Sequence, residues 1–186
     1  MVCQGQENAE EMISGTTNFE KGIHMRTAIV YYSLQGNVRY VAEKVSKETG
    51  ADLIELVPVK AYPDKGMVKF LWGGSAVTFK KKPELEPYKF NKDDYDLIIL
   101  GTPVWAGKFT PPLRTFLEDN DLTGKKIAVI ATSAGGGSDK CIELLKQAAK
   151  ADSLAAQLSL VDPKDKPSEE NEKNIAGFIN AVKNIL

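Results

Sequence analysis

Three short stretches of this chain hold residues that can bind an anion and a flat ring. They are 33–38 (Ser-Leu-Gln-Gly-Asn-Val), 101–107 (Gly-Thr-Pro-Val-Trp-Ala-Gly) and 132–138 (Thr-Ser-Ala-Gly-Gly-Gly-Ser). The first follows an apolar run, Thr27 to Tyr32, and opens a helical pattern with Val38, Val41, Ala42 and Val45 on one face. A buried strand, a glycine turn and a helix start leave unpaired N–H groups at the positive end of the helix, where they favour a negative charge. No lysine follows Gly36, so this is not the nucleotide-triphosphate loop, and the GxGxxG dinucleotide fingerprint is absent. In the other two stretches glycines let backbone N–H groups come close to a ligand, and Trp105 adds a flat apolar face. These residue types serve binding rather than acid–base or nucleophilic work, and no catalytic residue is singled out.

The bulk properties narrow the classes. The chain has 186 residues, 42% of them hydrophobic, enough for one domain with a full core. No apolar stretch reaches the ~18 residues of a membrane span and no leader pattern opens the chain, so a cytoplasmic protein without membrane insertion is expected. His24 is the single histidine, and Cys3 and Cys141 have no zinc-like spacing, which argues against a metal centre or a Ser-His-Asp triad. Cys141 reads as small core filling. The net charge of −1 argues against nucleic acid as a partner.

The elements that must position the three stretches follow in chain order. Residues 1–25 lack periodicity and read as an N-terminal extension, disordered or loosely docked, with a short amphipathic helix around Ala9 to Ile13 and Met25 as an alternative start. The extension holds four glutamates against one lysine, a net of −3, which leaves +2 on residues 26–186 of a chain at −1. From Arg26 strand and helix patterns alternate. Strands are expected at Thr27–Tyr32, Asp52–Val57, Leu97–Leu100, Ile127–Ala131 and Leu154–Val161. Helices are expected from about Asn37 to Glu48, after Thr110-Pro111-Pro112 with Leu113, Phe116 and Leu117 inward, and along Cys141, Ile142, Leu144, Leu145 and Ala148. A last helix is capped by Ser168, with Ile175, Phe178, Ile179 and Val182 inward. Residues 58–94 form a long crossover, with a helix from Asp64 to Trp72, an irregular stretch from Gly73 to Pro87 and the basic run Lys80-Lys81-Lys82. Such alternation predicts an α/β fold: a doubly wound, five-stranded parallel sheet in the order 2-1-3-4-5 with helices on both faces.

In that order the loops after strands one, three and four meet at the carboxyl edge of the sheet, where the winding direction switches. These are the three stretches described above. An anion cradle beside an aromatic platform suits a planar ring carrying a phosphate, a shape that FMN fits.

The segment YYSLQGNVRYVAEKV resembles the phosphate loop of the flavodoxin family, and LIILGTPVWAGKFTPPLRTFLE and IAVIATSAGGGSDK resemble the loops flanking its isoalloxazine ring. The resemblance runs through residues 26–186, which would then be one FMN-binding domain. It implies a noncovalent FMN used for one- or two-electron transfer. By motif position Ser33, Gln35, Gly36, Asn37 and Val38 would surround the phosphate. Thr102, Pro103, Val104, Trp105, Ala106 and Gly107 would line one side of the ring, with the Ala106–Gly107 peptide at flavin N5. Ser133, Ala134, Gly135, Gly136 and Gly137 would lie along the pyrimidine edge.

Three features depart from the family pattern. Gln35 and Val38 stand where hydroxyl residues are usual, each a loss of about 1.5–3 kcal/mol if a bond to the phosphate goes with it. Ser33, the Asn37 side chain and backbone donors remain, and Arg39 either adds charge or faces solvent. The third loop has no aromatic residue, so a second stacking partner is sought in Tyr62 or Trp72. The domain is not acidic, as the family's carriers are. Two functions follow. One is an electron carrier serving a redox partner protein; the other is an NAD(P)H-dependent FMN or quinone reductase, whose substrate pocket the 58–94 crossover would shape. Either is expected as a monomer or weak dimer. A response-regulator relative would need an acidic cluster where Ser33 and Leu34 stand.

Overall fold

The residues from Thr27 to Tyr31 are apolar or β-branched, all are buried, and they form the first strand, β1 (Thr27–Tyr31). A computed structural model describes residues 25–62 and 82–186. The other elements in order are α1 (Asn37–Thr49), β2 (Asp52–Glu55), a 3₁₀ turn (Lys92–Asp94), β3 (Leu97–Pro103), α2 (Pro111–Asp119), β4 (Lys126–Ser133), α3 (Asp139–Ala148), β5 (Ala156–Val161) and α4 (Glu169–Lys183). All four strand pairings are parallel and the order is β2-β1-β3-β4-β5, the order the alternation predicts.

The two faces of the sheet bury different helices because strand side chains alternate. Ile29, Tyr31, Leu97, Ile99, Ala128, Ile130, Leu158 and Leu160 pack with Val38, Val41, Ala42 and Val45 of α1 and Ile175, Phe178, Ile179 and Val182 of α4. Val30, Ile54, Ile98, Leu100, Ile127, Val129 and Ala131 pack on the other face with Leu113 and Phe116 of α2 and Cys141, Ile142 and Leu145 of α3. The central strands are therefore apolar without interruption, while the edge strand β5 alternates buried and exposed residues.

Helix ends follow the expected chemistry. Gly50 closes α1 in the left-handed conformation at φ 71°, and its N–H donates to the Ser46 carbonyl. The Ser168 hydroxyl accepts from the Asn171 N–H at the start of α4.

Several boundaries differ from the sequence reading. β3 and β4 run further than expected, to Pro103 and Ser133, because polar residues at their ends still find ladder partners. β2 stops at Glu55 rather than Val57. The chain there leaves the ladder and pairs instead with residues 84–86: Val59 N–H donates to Glu84 C=O at 2.9 Å and Glu86 N–H to Val57 C=O at 2.7 Å. β5 begins at Ala156, not Leu154. Ala148 is exposed and Ala149 takes the inward position, while Leu117 is only partly buried.

Tyr88 and Phe90 anchor the end of the crossover, Phe90 lying 4.9 Å from Phe116 and 5.7 Å from Tyr95 between ring centroids. The expected Asp64–Trp72 helix, most of the irregular stretch and the extension up to His24 lie outside the described residues; of the basic run, Lys82 is described and pairs with Glu118 on α2.

Candidate cofactor site

At the carboxyl edge of the sheet, the loops after β1, β3 and β4 enclose a cavity of about 490 Å³. This lies within the range of small-molecule pockets. Its walls include Ser33, Gln35, Asn37 and Val38, then Pro103 to Gly107, then Ser133 to Gly137.

The first wall is the start of α1. Gly36 holds the N-cap position at φ 90°, a conformation that costs an L side chain about 1–2 kcal/mol, and no side chain caps the helix from there. The Ser33 hydroxyl takes the Arg39 N–H at 3.2 Å. Helix geometry leaves the Asn37 and Val38 N–H groups directed out of the helix end, where Asn37 and Val38 line the cavity. The arrangement is a donor set for an anion such as a phosphate. It sits against the sheet because of Gly101: a Cβ at that position would lie 2.7 Å from Tyr31 Cβ and 2.9 Å from Val38 Cγ1, so only glycine lets the first turn of α1 come so close to β3.

The second wall is a tight hairpin. Trp105 and Lys108 exchange backbone hydrogen bonds at 2.9 and 3.0 Å, and both central residues have positive φ, Ala106 at 49° and Gly107 at 72°. Two consecutive left-handed residues in a two-residue loop define a type I′ turn. The Ala106–Gly107 peptide thus sits at the exposed tip of the turn. Gly107 adopts its conformation without cost, whereas Ala106 is the strained member.

Trp105 forms an edge-to-face trio with two tyrosines. Its ring lies 5.8 Å from Tyr32 and 5.2 Å from Tyr62, and the tyrosines are 6.1 Å apart. Burial raises the pKa of both, with Tyr62 adding to the effect at Tyr32, so both remain neutral phenols.

The third wall is nearly bare backbone. The Ser133 hydroxyl accepts from the Gly136 N–H at 2.9 Å, and Gly136 and Gly137 have φ of 83° and 74°. A Cβ added at Gly135, Gly136 or Gly137 would meet no heavy atom within 4 Å, so these glycines flank open space.

Most of the residues singled out by their types come together at this cavity, with two exceptions. Thr102 is fully buried behind the second loop. Its hydroxyl accepts from the Thr110 N–H, lies 3.2 Å from the Thr110 hydroxyl and donates to the Pro103 carbonyl, tying the loop's two ends together instead of facing the ring space. The Thr110 hydroxyl is used in the same tie, so it does not cap α2. Gly36 shapes the first loop without lining the cavity.

Other side chains depart from the expectation. Arg39 pairs with Glu55 at 2.5 Å, which raises its pKa, and it stands in an adjoining groove of about 390 Å³ rather than at the anion loop. Tyr62 lines that same groove and supports Trp105 from behind; it does not stand across the cavity as a second stacking partner. Trp72 lies outside the described residues. The Asn37 amide is committed elsewhere: its oxygen accepts from the Lys164 N–H at 2.9 Å and its NH₂ donates to Asp165 at 3.0 Å.

The turn after β5 is a fourth element at the site. Asp162, at φ 39°, lines the cavity, and its N–H donates to the Ser133 carbonyl at 2.9 Å. Lys166 pairs with its carboxylate at 3.0 Å. The sequence signal for this turn, Asp-Pro-Lys-Asp-Lys, is indistinguishable from any charged surface turn.

Comparison with known proteins agrees with this geometry. The family model described as flavodoxin matches residues 26–161. Among solved structures, a flavoprotein from Lactobacillus acidophilus NCFM, crystallised with FMN, is 26% identical with a TM-score of 0.61; the match covers 76% of this chain and 95% of that one. A Bacteroides eggerthii DSM 20697 protein is 24% identical with a TM-score of 0.66, the match covering 85% of this chain and 98% of that one. An NADH:FMN oxidoreductase in its apo form shares the fold at 14% identity and a TM-score of 0.54, with 87% and 90% covered. With its five-stranded parallel sheet and three converging loops, the chain belongs to the flavodoxin family.

Proposed function

We propose that this protein binds FMN noncovalently in the 490 Å³ cavity and uses it to transfer electrons. The observation that carries this reading is the joining, in one cavity, of a helix start whose N-cap glycine supplies no side-chain cap, a tryptophan-bearing hairpin and a bare glycine rim. The donor set fits the group: backbone N–H groups for a phosphate dianion, an apolar aromatic wall for a flat ring, and open backbone for the polar edge of that ring. The likeness to a flavoprotein that binds FMN supports the choice of cofactor.

When bound, FMN supplies the redox chemistry by accepting and returning one or two electrons. The chain's own residues hold and tune it. The N–H groups of Asn37 and Val38, with the positive end of α1, bind the phosphate. Trp105, held edge-on by Tyr32 and Tyr62, packs against the ring and excludes water from one face. The Ala106–Gly107 peptide, at the cavity's edge, would offer a backbone group to the ring's N5. Ser133 and Gly135 to Gly137 would accommodate the pyrimidine edge, with the Asp162 carboxylate, paired with Lys166, close by.

We favour the carrier, handing electrons between partner proteins. A second reading is an NAD(P)H-dependent FMN or quinone reductase. It draws on the adjoining groove, which shares Ser33 and Leu34 with the cavity and is lined by Tyr32 and Tyr62, with Leu56, Val57, Pro58 and Ala61 giving an apolar floor. Purified protein should be yellow and release FMN on denaturation; a colourless protein that takes up no added FMN overturns the cofactor assignment. Steady NAD(P)H oxidation with a quinone by the protein alone would establish the enzyme, and reduction only through a separate reductase would establish the carrier.

A further inference from the structure

The turn after β5 grips the first loop from outside the cavity. Lys164 Nζ donates to the Gln35 carbonyl at 2.8 Å, the Lys164 N–H donates to the Asn37 side-chain oxygen at 2.9 Å, and Asp165 receives the Asn37 NH₂ at 3.0 Å. Asp165 also pairs with Lys164 at 3.2 Å. A Cβ built on Gly36 would come to 3.4 Å from Lys164 Nζ, so the ammonium lies directly against the glycine of the loop. Lys164 does not line the cavity, while Gln35 and Asn37, on either side of Gly36, do.

The direction of one peptide follows from these contacts. No peptide bond among the described residues is cis. In a trans peptide the C=O and the following N–H point to opposite sides. The Gln35 carbonyl points to the ammonium, so the Gly36 N–H points away from it, on the side of the loop opposite Lys164. Glycine at φ 90° has no side chain to favour one orientation of the peptide over the other, which leaves room for a hydrogen-bond partner to set the bias. Here that partner is 129 residues away in sequence.

We propose that Lys164 is a positioning residue for phosphate affinity: by holding the Gln35 carbonyl outward it aims the Gly36 N–H, alongside those of Asn37 and Val38, at the FMN phosphate. The inference rests on the FMN reading above. It also accounts for how the loop works with Gln35 and Val38 where hydroxyls are usual in the family. The missing side-chain donors are replaced by backbone donors whose orientation a distant lysine secures.

The test compares FMN with riboflavin, which has the same ring and no phosphate, on the full chain freed of cofactor. Lys164→Met keeps the aliphatic stem and removes the donor; Lys164→Arg keeps a donor. The Met variant should lose about tenfold to a hundredfold in FMN affinity while riboflavin affinity changes by less than about twofold, and the Arg variant should recover most of the loss. The amide resonance of Gly36 should shift strongly on FMN addition in the wild type and the Arg variant, and not in the Met variant. Equal losses for both ligands, or an unchanged FMN affinity in the Met variant, would overturn the proposal. A wild-type protein that binds no FMN strikes instead at the cofactor reading, and the two failures are thereby separate.

Discussion

Replacing Gly101 by alanine tests how the sheet delivers the helix start to the site. The added methyl would lie 2.7 Å from Tyr31 Cβ and 2.9 Å from Val38 Cγ1, about 0.5–0.7 Å inside ordinary contact. Tyr31 cannot withdraw, because its backbone is paired on both sides, to Glu55 of β2 and to Gly101 itself. Val38 is the softer neighbour, so relief comes from pushing the first turn of α1 off the sheet. Overpacking of this kind costs about 1–3 kcal/mol, and the reduced freedom of alanine in the unfolded chain returns about 0.4–1 kcal/mol. A net loss of about 1–2 kcal/mol should lower Tm by roughly 2–8 °C for a domain of this size. The same shift moves the Asn37 and Val38 N–H groups, so FMN affinity should fall by about tenfold, the value of one weakened hydrogen bond to a charged group. Calorimetry of the cofactor-free chain and fluorescence titration with FMN measure the two effects. Adding Val38→Ala removes one of the two close contacts and should restore part of the affinity. A Gly101→Ala protein with wild-type Tm and wild-type FMN affinity would refute the packing argument.

Other outcomes follow from the same structure. Trp105→Ala removes the aromatic wall and should weaken FMN and riboflavin alike, by about tenfold or more, since the lost contact is with the ring and not the phosphate. Asp162→Asn removes a negative charge from the cavity rim at a φ of 39° that asparagine tolerates well. It should raise the flavin's midpoint potential, because a nearby carboxylate disfavours the electron-rich reduced form, and spectroelectrochemical titration would show an unchanged potential if Asp162 were remote from the ring. Cys141 is fully buried and its thiol is pushed up to about 12 by that burial, so peptide mapping should find it unlabelled by a thiol reagent at about pH 8 until the protein unfolds.

The parts of the site that were legible in the sequence share one property: their signal is local. The apolar run ending at Tyr32 followed by Gly36 and the Val38, Val41, Ala42, Val45 stripe identifies a strand, a turn and a helix without reference to any other segment. The type I′ turn needs Gly107, and the third loop needs its glycines, so those residues are visible by type. Thr102 was misplaced because its type fits a loop equally well as a ligand contact or as a tie to Thr110, and only burial separates the two. Tyr62, sought as a second stacking partner, lies instead in the adjoining groove against Trp105, since chain direction through residues 58–62 depends on the pairing with residues 84–86.

Periodicity and glycine placement alone therefore determined the element order, the strand order and the position of the cavity, because period-2 and period-3.6 patterns and helix–strand alternation leave few ways to wind one sheet. The tertiary structure alone decided which charged and polar groups serve the site. Lys164, Asp162 and Asp165 reach Gln35, Ser133 and Asn37 from one turn, that after β5, and Arg39, adjacent to the loop in sequence, is drawn away to Glu55. A charged residue on a surface turn leaves no mark in local sequence of what it faces. Its partner is set by which loops the folded sheet and its helices bring together, here the loop after β1 and the turn after β5, across 129 residues of chain.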